Sequence, residues 1–146
     1  MADIPEEHLT EELLDRLLAS ASIEQYLDEG LVSARTLTDY LFDRMEAHDL
    51  RRADAVRASG LNATVVYDIF SGKSRPGRDH AIMLAFGLKC TLRETQRLLR
   101  LAGVSELWCK QRRDAIIIWC IRNGFDRIAT DDELYRMGEA TLLPAD

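Results

Sequence analysis

"SGLNATVVYDIFSGKSRPGRD", Ser59–Asp79, holds three glycines, a capping asparagine, eight residues of helical character and three bases in 21 positions. Gly60 suits a left-handed turn because it has no Cβ to clash there. Asn62 is a good N-cap for a helix running to Phe70, which Gly72 closes. Upstream, Ala53–Ser59 forms a second short helix that ends at the first glycine. Two short helices meeting at a glycine, with the second opened by a small polar cap, is the pattern of a helix-turn-helix. The first helix needs slim residues where the second crosses it, and Ala55 and Val56 are slim. Leu61 plugs the angle, and Val66 and Ile69 point inward. Ala63, Thr64, Tyr67 and Asp68 are left on the outer face.

The rest of the chain reads as helix as well. Apolar residues recur at three- and four-residue spacing and no alternating strand pattern occurs, so the expected class is all-α. Thr10 caps a helix with Leu13, Leu14, Leu17 and Leu18 on one side. "SIEQ" (Ser22–Gln25) has capping-box form, with Gly30 as a stop. Leu37, Tyr40, Leu41 and Met45 share a face of a helix from about Ala34 to His48. Helices are expected at Arg78–Leu88 and, capped by Thr91, at Leu92–Leu101 before Gly103. A longer one is expected from Ser105 to about Arg122, apolar nearly all round at Ala115–Ile121 and so buried on most sides. It would carry Trp108 and Trp119 as core or interface anchors. "TDDE" (Thr130–Glu133) reads as a capping box with Asp131 and Asp132 as first-turn acids, Gly138 as the end of that helix, and "ATLLPAD" as a loose tail.

Composition excludes several classes. The 146 residues are 47% hydrophobic and 30% charged, ordinary for a soluble domain. The longest apolar run, Ala115–Ile121, is far short of a membrane span, and "MADIPEEHLTEE" lacks the features of a signal peptide. A cytoplasmic protein is expected. Cys90, Cys109 and Cys120 are odd in number and widely spaced, and His8, His48 and His80 have no ligand partner at metal-binding spacing. Neither a disulfide framework nor a metal is expected, nor any other cofactor or small-molecule ligand. No catalytic triad, phosphate-cradling loop or carboxylate pair can be assembled, so no enzymatic activity is expected.

The net charge of −6 is unevenly spread. Residues 1–34 carry nine acids and one base, residues 35–104 twelve bases and eight acids, and residues 105–146 six bases and eight acids. Only the middle of this acidic chain is basic, and it contains the opening stretch.

Residues 35–103 resemble the lambda-repressor-like (Cro/repressor, XRE-type) helix-turn-helix domain. The resemblance rests on "ADAVRASGLNATVVYDIFSGKSRP", then on "AIMLAFGLKCTLRETQRLLRLAG", which is similar to that family's fourth and fifth helices. The family's loop after the recognition helix carries a small residue, Gly, Lys and a Pro soon after, as "SGKSRP" does here. The resemblance implies five helices, with residues 1–34 and 104–146 as added helical extensions. It implies a transcriptional regulator that binds double-stranded DNA with its third helix in the major groove. Lys73, Arg75 and Arg78 would meet phosphates, together with Arg51 and Arg52. Thr64 and Tyr67 would contact base or sugar, Asp68 would stand at a base-reading position, Ala63 and Ser71 would belong to the DNA-binding face, and Asn62, first a helix cap, would touch DNA secondarily. The family's usual polar start to the first motif helix is replaced by Arg51–Arg52, and a base-reading position is Asp68, which can accept from cytosine N4 but repels phosphate. A module with so small a basic excess calls for a homodimer, through the 105–122 helix or, failing that, the N-terminal leucine stripe. The acidic total, Asp68 and the acidic first segment support a different expectation: an adaptor or antitoxin-like protein-interaction module on the same fold.

Overall fold

The computed structural model describes residues 10–28 and 36–144. Among them are nine α-helices and no strands. They are α1 (Thr10–Ala19), α2 (Ile23–Asp28), α3 (Leu37–Ala47), α4 (Arg52–Ser59), α5 (Ala63–Phe70), α6 (Arg78–Gly87), α7 (Leu92–Leu101), α8 (Arg112–Arg122) and α9 (Arg127–Arg136). The described residues fall into two compact units, one with α1 and α2, the other with α3–α9. No described helix is long and apolar enough to cross a membrane.

In the first unit, Ser22 Oγ accepts the Gln25 N–H, while the Gln25 side chain accepts from Ala21 rather than from Ser22 itself. The stop expected at Gly30 lies outside the described residues.

The second unit is built on one core. Tyr40 and Leu41 of α3, Val66, Ile69 and Phe70 of α5, Ala81–Ala85 of α6 and Leu98–Leu99 of α7 are buried together with Leu107, Ile117, Leu134 and Leu142. Leu107, Ile117, Leu134 and Leu142 thus bring residues beyond the expected boundary at 103 into this core. Gly87 allows the closest approach of α4 to α6: a Cβ there would stand 2.7 Å from the Ala55 carbonyl oxygen. Glu94 joins α3 to α7. It accepts from the Thr91 N–H, completing a capping box, and from Arg44, and it lies 3.0 Å from His48 Nε2. Burial alone would raise its pKa, but the Thr91 N–H, His48 and Arg44 hold it below the ordinary value.

Four features depart from the sequence reading. Thr36, not a residue near Ala34, caps α3, with Asp39 completing its capping box; Ala34 itself lies outside the described residues. The helix expected from Ser105 begins only at Arg112. Residues before it bond elsewhere: the Gln96 amide binds both the N–H and the C=O of Leu107, and the Trp108 N–H donates to Asp114. Trp108 thus stands in a loop rather than on a helix with Trp119. Within α8 only one side is fully buried, and Trp119 is 55% exposed with its ring edge-on to Phe125 at 5.3 Å.

The third departure is α9, which starts at Arg127, three residues before "TDDE", because Asp126 caps it by accepting the Ala129 N–H. Asp131 is consequently in the second turn and buried. The fourth follows from that: Asp131 accepts the N–H groups of Leu142 and Leu143, so the expected loose tail is tied down through these residues.

Candidate nucleic-acid interface

Helix α5 forms because a cap and an apolar stripe agree. Asn62 Oδ1 accepts the Thr64 N–H at 2.8 Å, and Val66, Ile69 and Phe70 face the core. Leu61 is buried in the angle with α4, where Gly60 adopts φ +79°. Buried Ser59 holds that turn, its Oγ accepting from Leu61 N–H and donating to the Val56 carbonyl. On the opposite side of α5, Ala63 and Thr64 are exposed, Tyr67 is 45% exposed and Asp68 is half-buried.

The end of α5 is tied as firmly as its start. The Asp68 carbonyl accepts from Lys73 N–H at 2.9 Å, from Ser74 N–H at 3.2 Å and from the Ser71 hydroxyl. These bonds fix the backbone under Lys73 and commit the Ser71 hydroxyl to the helix end. The Lys73 and Arg75 side chains are exposed, and Arg75 reaches toward Gly103 after α7.

Arg51 and Arg52 stand at the start of α4. The Asp54 carboxylate accepts the Arg51 N–H at 3.0 Å and pairs with Arg57 at 2.6 Å; led by the Arg51 N–H, these contacts lower its pKa. The guanidinium of Arg51 has no acceptor atom to cap the helix in return. Arg52 lies over the Tyr67 ring at 5.3 Å and near Phe42 at 6.0 Å, a cation–π arrangement that joins α4 to the exposed face of α5. Phe42 in turn packs edge-on against Phe70. Among the described residues, Arg51, Arg52, Lys73 and Arg75 take part in no ion pair.

Arg78 is placed differently from the other predicted cations. Its guanidinium makes two hydrogen bonds to Asp114, at 2.6 and 3.0 Å, and donates to the carbonyls of Ser105 and Glu106. With four donor interactions inside the protein, it has little left to offer a phosphate. The phosphate contact expected at Arg78 thus has an internal ion pair to compete with. Asp79 is likewise taken up by both terminal nitrogens of Arg113, at 2.9 and 3.1 Å. Its charge is thus offset and does not stand alone beside the basic loop.

Sequence reasoning missed Phe42, Asp114, Arg113 and Arg127. Phe42 has only a helical offset to recommend it; Asp114 and Arg113 act across 34 residues or more with no local signal, and Arg127 pairs with Asp131 at i, i+4. Among the described residues no group of three His, Cys, Asp or Glu side chains is placed to hold a metal ion. Comparison with protein-family models, with curated proteins and with solved structures finds no match for this chain.

Proposed function

We propose that this protein is a cytoplasmic DNA-binding transcriptional regulator, not an enzyme, whose helices α3–α7 form a lambda-repressor-like domain. Helix α5 enters the major groove. The observation that carries this reading is the outer face of α5, bearing Thr64 and Tyr67, with Arg51, Arg52, Lys73 and Arg75 around its two ends and none of them neutralised by a carboxylate. Phosphate contacts of this kind position a protein on duplex DNA, while a few side chains on the inserted helix read bases. Tyr67, held under Arg52, is the leading base or sugar contact, with Thr64 and Asn62 beside it.

The protein acts as a dimer on half-sites about 34 Å apart, one turn of duplex. Exposed Trp119, Ile128 and Tyr135 on α8 and α9 support a pairing surface there. A second reading, a protein-interaction adaptor, draws on Asp68, whose charge faces the same side as Tyr67. Selection from a random duplex pool separates the two. Enrichment of a two-fold-related sequence is the expected result; failure to enrich any sequence supports the adaptor.

A further inference from the structure

A cavity of about 480 Å³ lies between α4, the end of α6 with the turn that follows it, and the α8–α9 hairpin. Its size falls within the roughly 300–1,000 Å³ typical of small-molecule sites. Phe86, Cys90, Ile121 and Phe125 form apolar walls, and the cationic residues Arg57, Lys89 and Arg127 outnumber the single acid, Asp126. Two of those cations have partners outside the lining, Arg57 with Asp54 and Arg127 with Asp131. Asp126 is itself occupied in capping α9. Lys89 is exposed, has no ion-pair partner among the described residues, and holds a left-handed backbone at φ +55° that places it at the end of α6.

We propose that this cavity binds a small amphipathic organic anion, its apolar body against Phe86 and Phe125 and its anionic group at the Lys89 ammonium. The site goes beyond DNA binding and stands without it. An apolar ligand of either charge would gain from the walls; because Arg57 and Arg127 are paired with carboxylates and Asp126 caps α9, the unpaired Lys89 ammonium is the group that selects the anion. The Cys90 thiol contributes as a neutral wall atom, since burial, aided by Glu94, pushes its pKa up to about 12.

The test uses the full chain with Trp108→Phe, which leaves Trp119, edge-on to the cavity residue Phe125, as the fluorescent reporter. Octanoate is titrated against octylammonium, which has the same apolar body and the opposite charge. Saturable binding of octanoate, about tenfold tighter than octylammonium, is expected. Lys89→Asn, which keeps a residue tolerant of the left-handed backbone, is expected to weaken octanoate several-fold and to narrow the charge preference. Ala58→Phe, at an exposed position lining the cavity, is expected to block both ligands. Circular dichroism confirms that each variant is folded, and if Ala58→Phe is not, the charge preference and Lys89→Asn still decide. The proposal is overturned if octanoate fails to saturate by about 10 mM, if octylammonium binds as tightly, if folded Ala58→Phe binds like the parent, or if Lys89→Asn leaves the preference unchanged.

Discussion

Two sets of arginines and lysines in this protein have the same formal charge and opposite surroundings. Around α5, Arg51, Arg52, Lys73 and Arg75 are exposed and unpaired. Between the α6 start and the C-terminal hairpin, Arg78, Arg113 and Arg127 are each bound to a carboxylate, Asp114, Asp79 and Asp131. A cation without an internal partner keeps its hydration until an external anion replaces it. A half-buried cation needs its carboxylate merely for the chain to fold. The comparison teaches that charge density along a sequence does not identify a binding face; the tertiary placement of the acids does.

The largest expected effect comes from breaking the second set. The Asp114 side chain is 4% exposed and accepts from Arg78 and from the Trp108 N–H. Asp114→Ala strands the Arg78 charge and should cost about 3 kcal/mol in a denaturant melt. Adding Arg78→Met should recover a good part of that loss, because removing both charges is far cheaper than removing one. Equal losses in the single and double variants would show that packing, not the stranded charge, sets the cost.

Breaking the first set should leave stability alone and change DNA binding. Lys73→Gln or Arg75→Gln should weaken affinity for all duplex sequences alike and lower the slope of log K against log salt by about one unit each. Arg52→Ala should also disturb sequence preference, since it releases Tyr67. A conservative change at Arg113, by contrast, should leave the salt slope as it is. Equal slopes for every variant would dissolve the distinction between the two sets.

Acid sharpens the comparison from another side. Burial pushes the Asp114 carboxyl up, but hydrogen bonds from Arg78 and the Trp108 N–H, with the nearby arginine charges, bring it below its ordinary value; Glu94 is lowered as described above. The unfolded chain therefore takes up protons at higher pH than the folded one. The stability these groups contribute is complete above the ordinary carboxylate range and is lost as pH falls through the depressed folded values. Thermal melts from neutral pH to about pH 3 should show this decline, and Glu94→Gln should flatten part of it.

The smallest effect is expected from removing residues 1–35. Among the described residues, the buried core cluster of the second unit runs from Tyr40 to Leu142, so the truncated chain should melt within about 3 °C of the parent. A much larger drop would mean that the first segment contributes to the stability of the second unit.

Local physical chemistry determined much of this protein in advance. Asn62, Gly60 and Gly72 mark the ends of short helices through cap hydrogen bonds and a left-handed backbone, interactions that span only a few residues. The buried positions Ala55, Val66 and Ile69 and the exposed positions Thr64 and Tyr67 follow from helical period alone. Elsewhere local signals competed and lost. Apolar residues and a plausible cap suggested a helix from Ser105, but Gln96 and Asp114, distant in the chain or across a turn, took the backbone groups that helix needed. "TDDE" resembles a helix start, yet Asp126 capped first and released Asp131 to hold the segment after α9 at Leu142. Arg78 sits in the same basic run as Lys73 and Arg75, and no local rule separates them. Only the fold brought Asp114 within 2.6 Å of Arg78 and left the other two facing water, because an ion pair is decided by where the second charge lies in space.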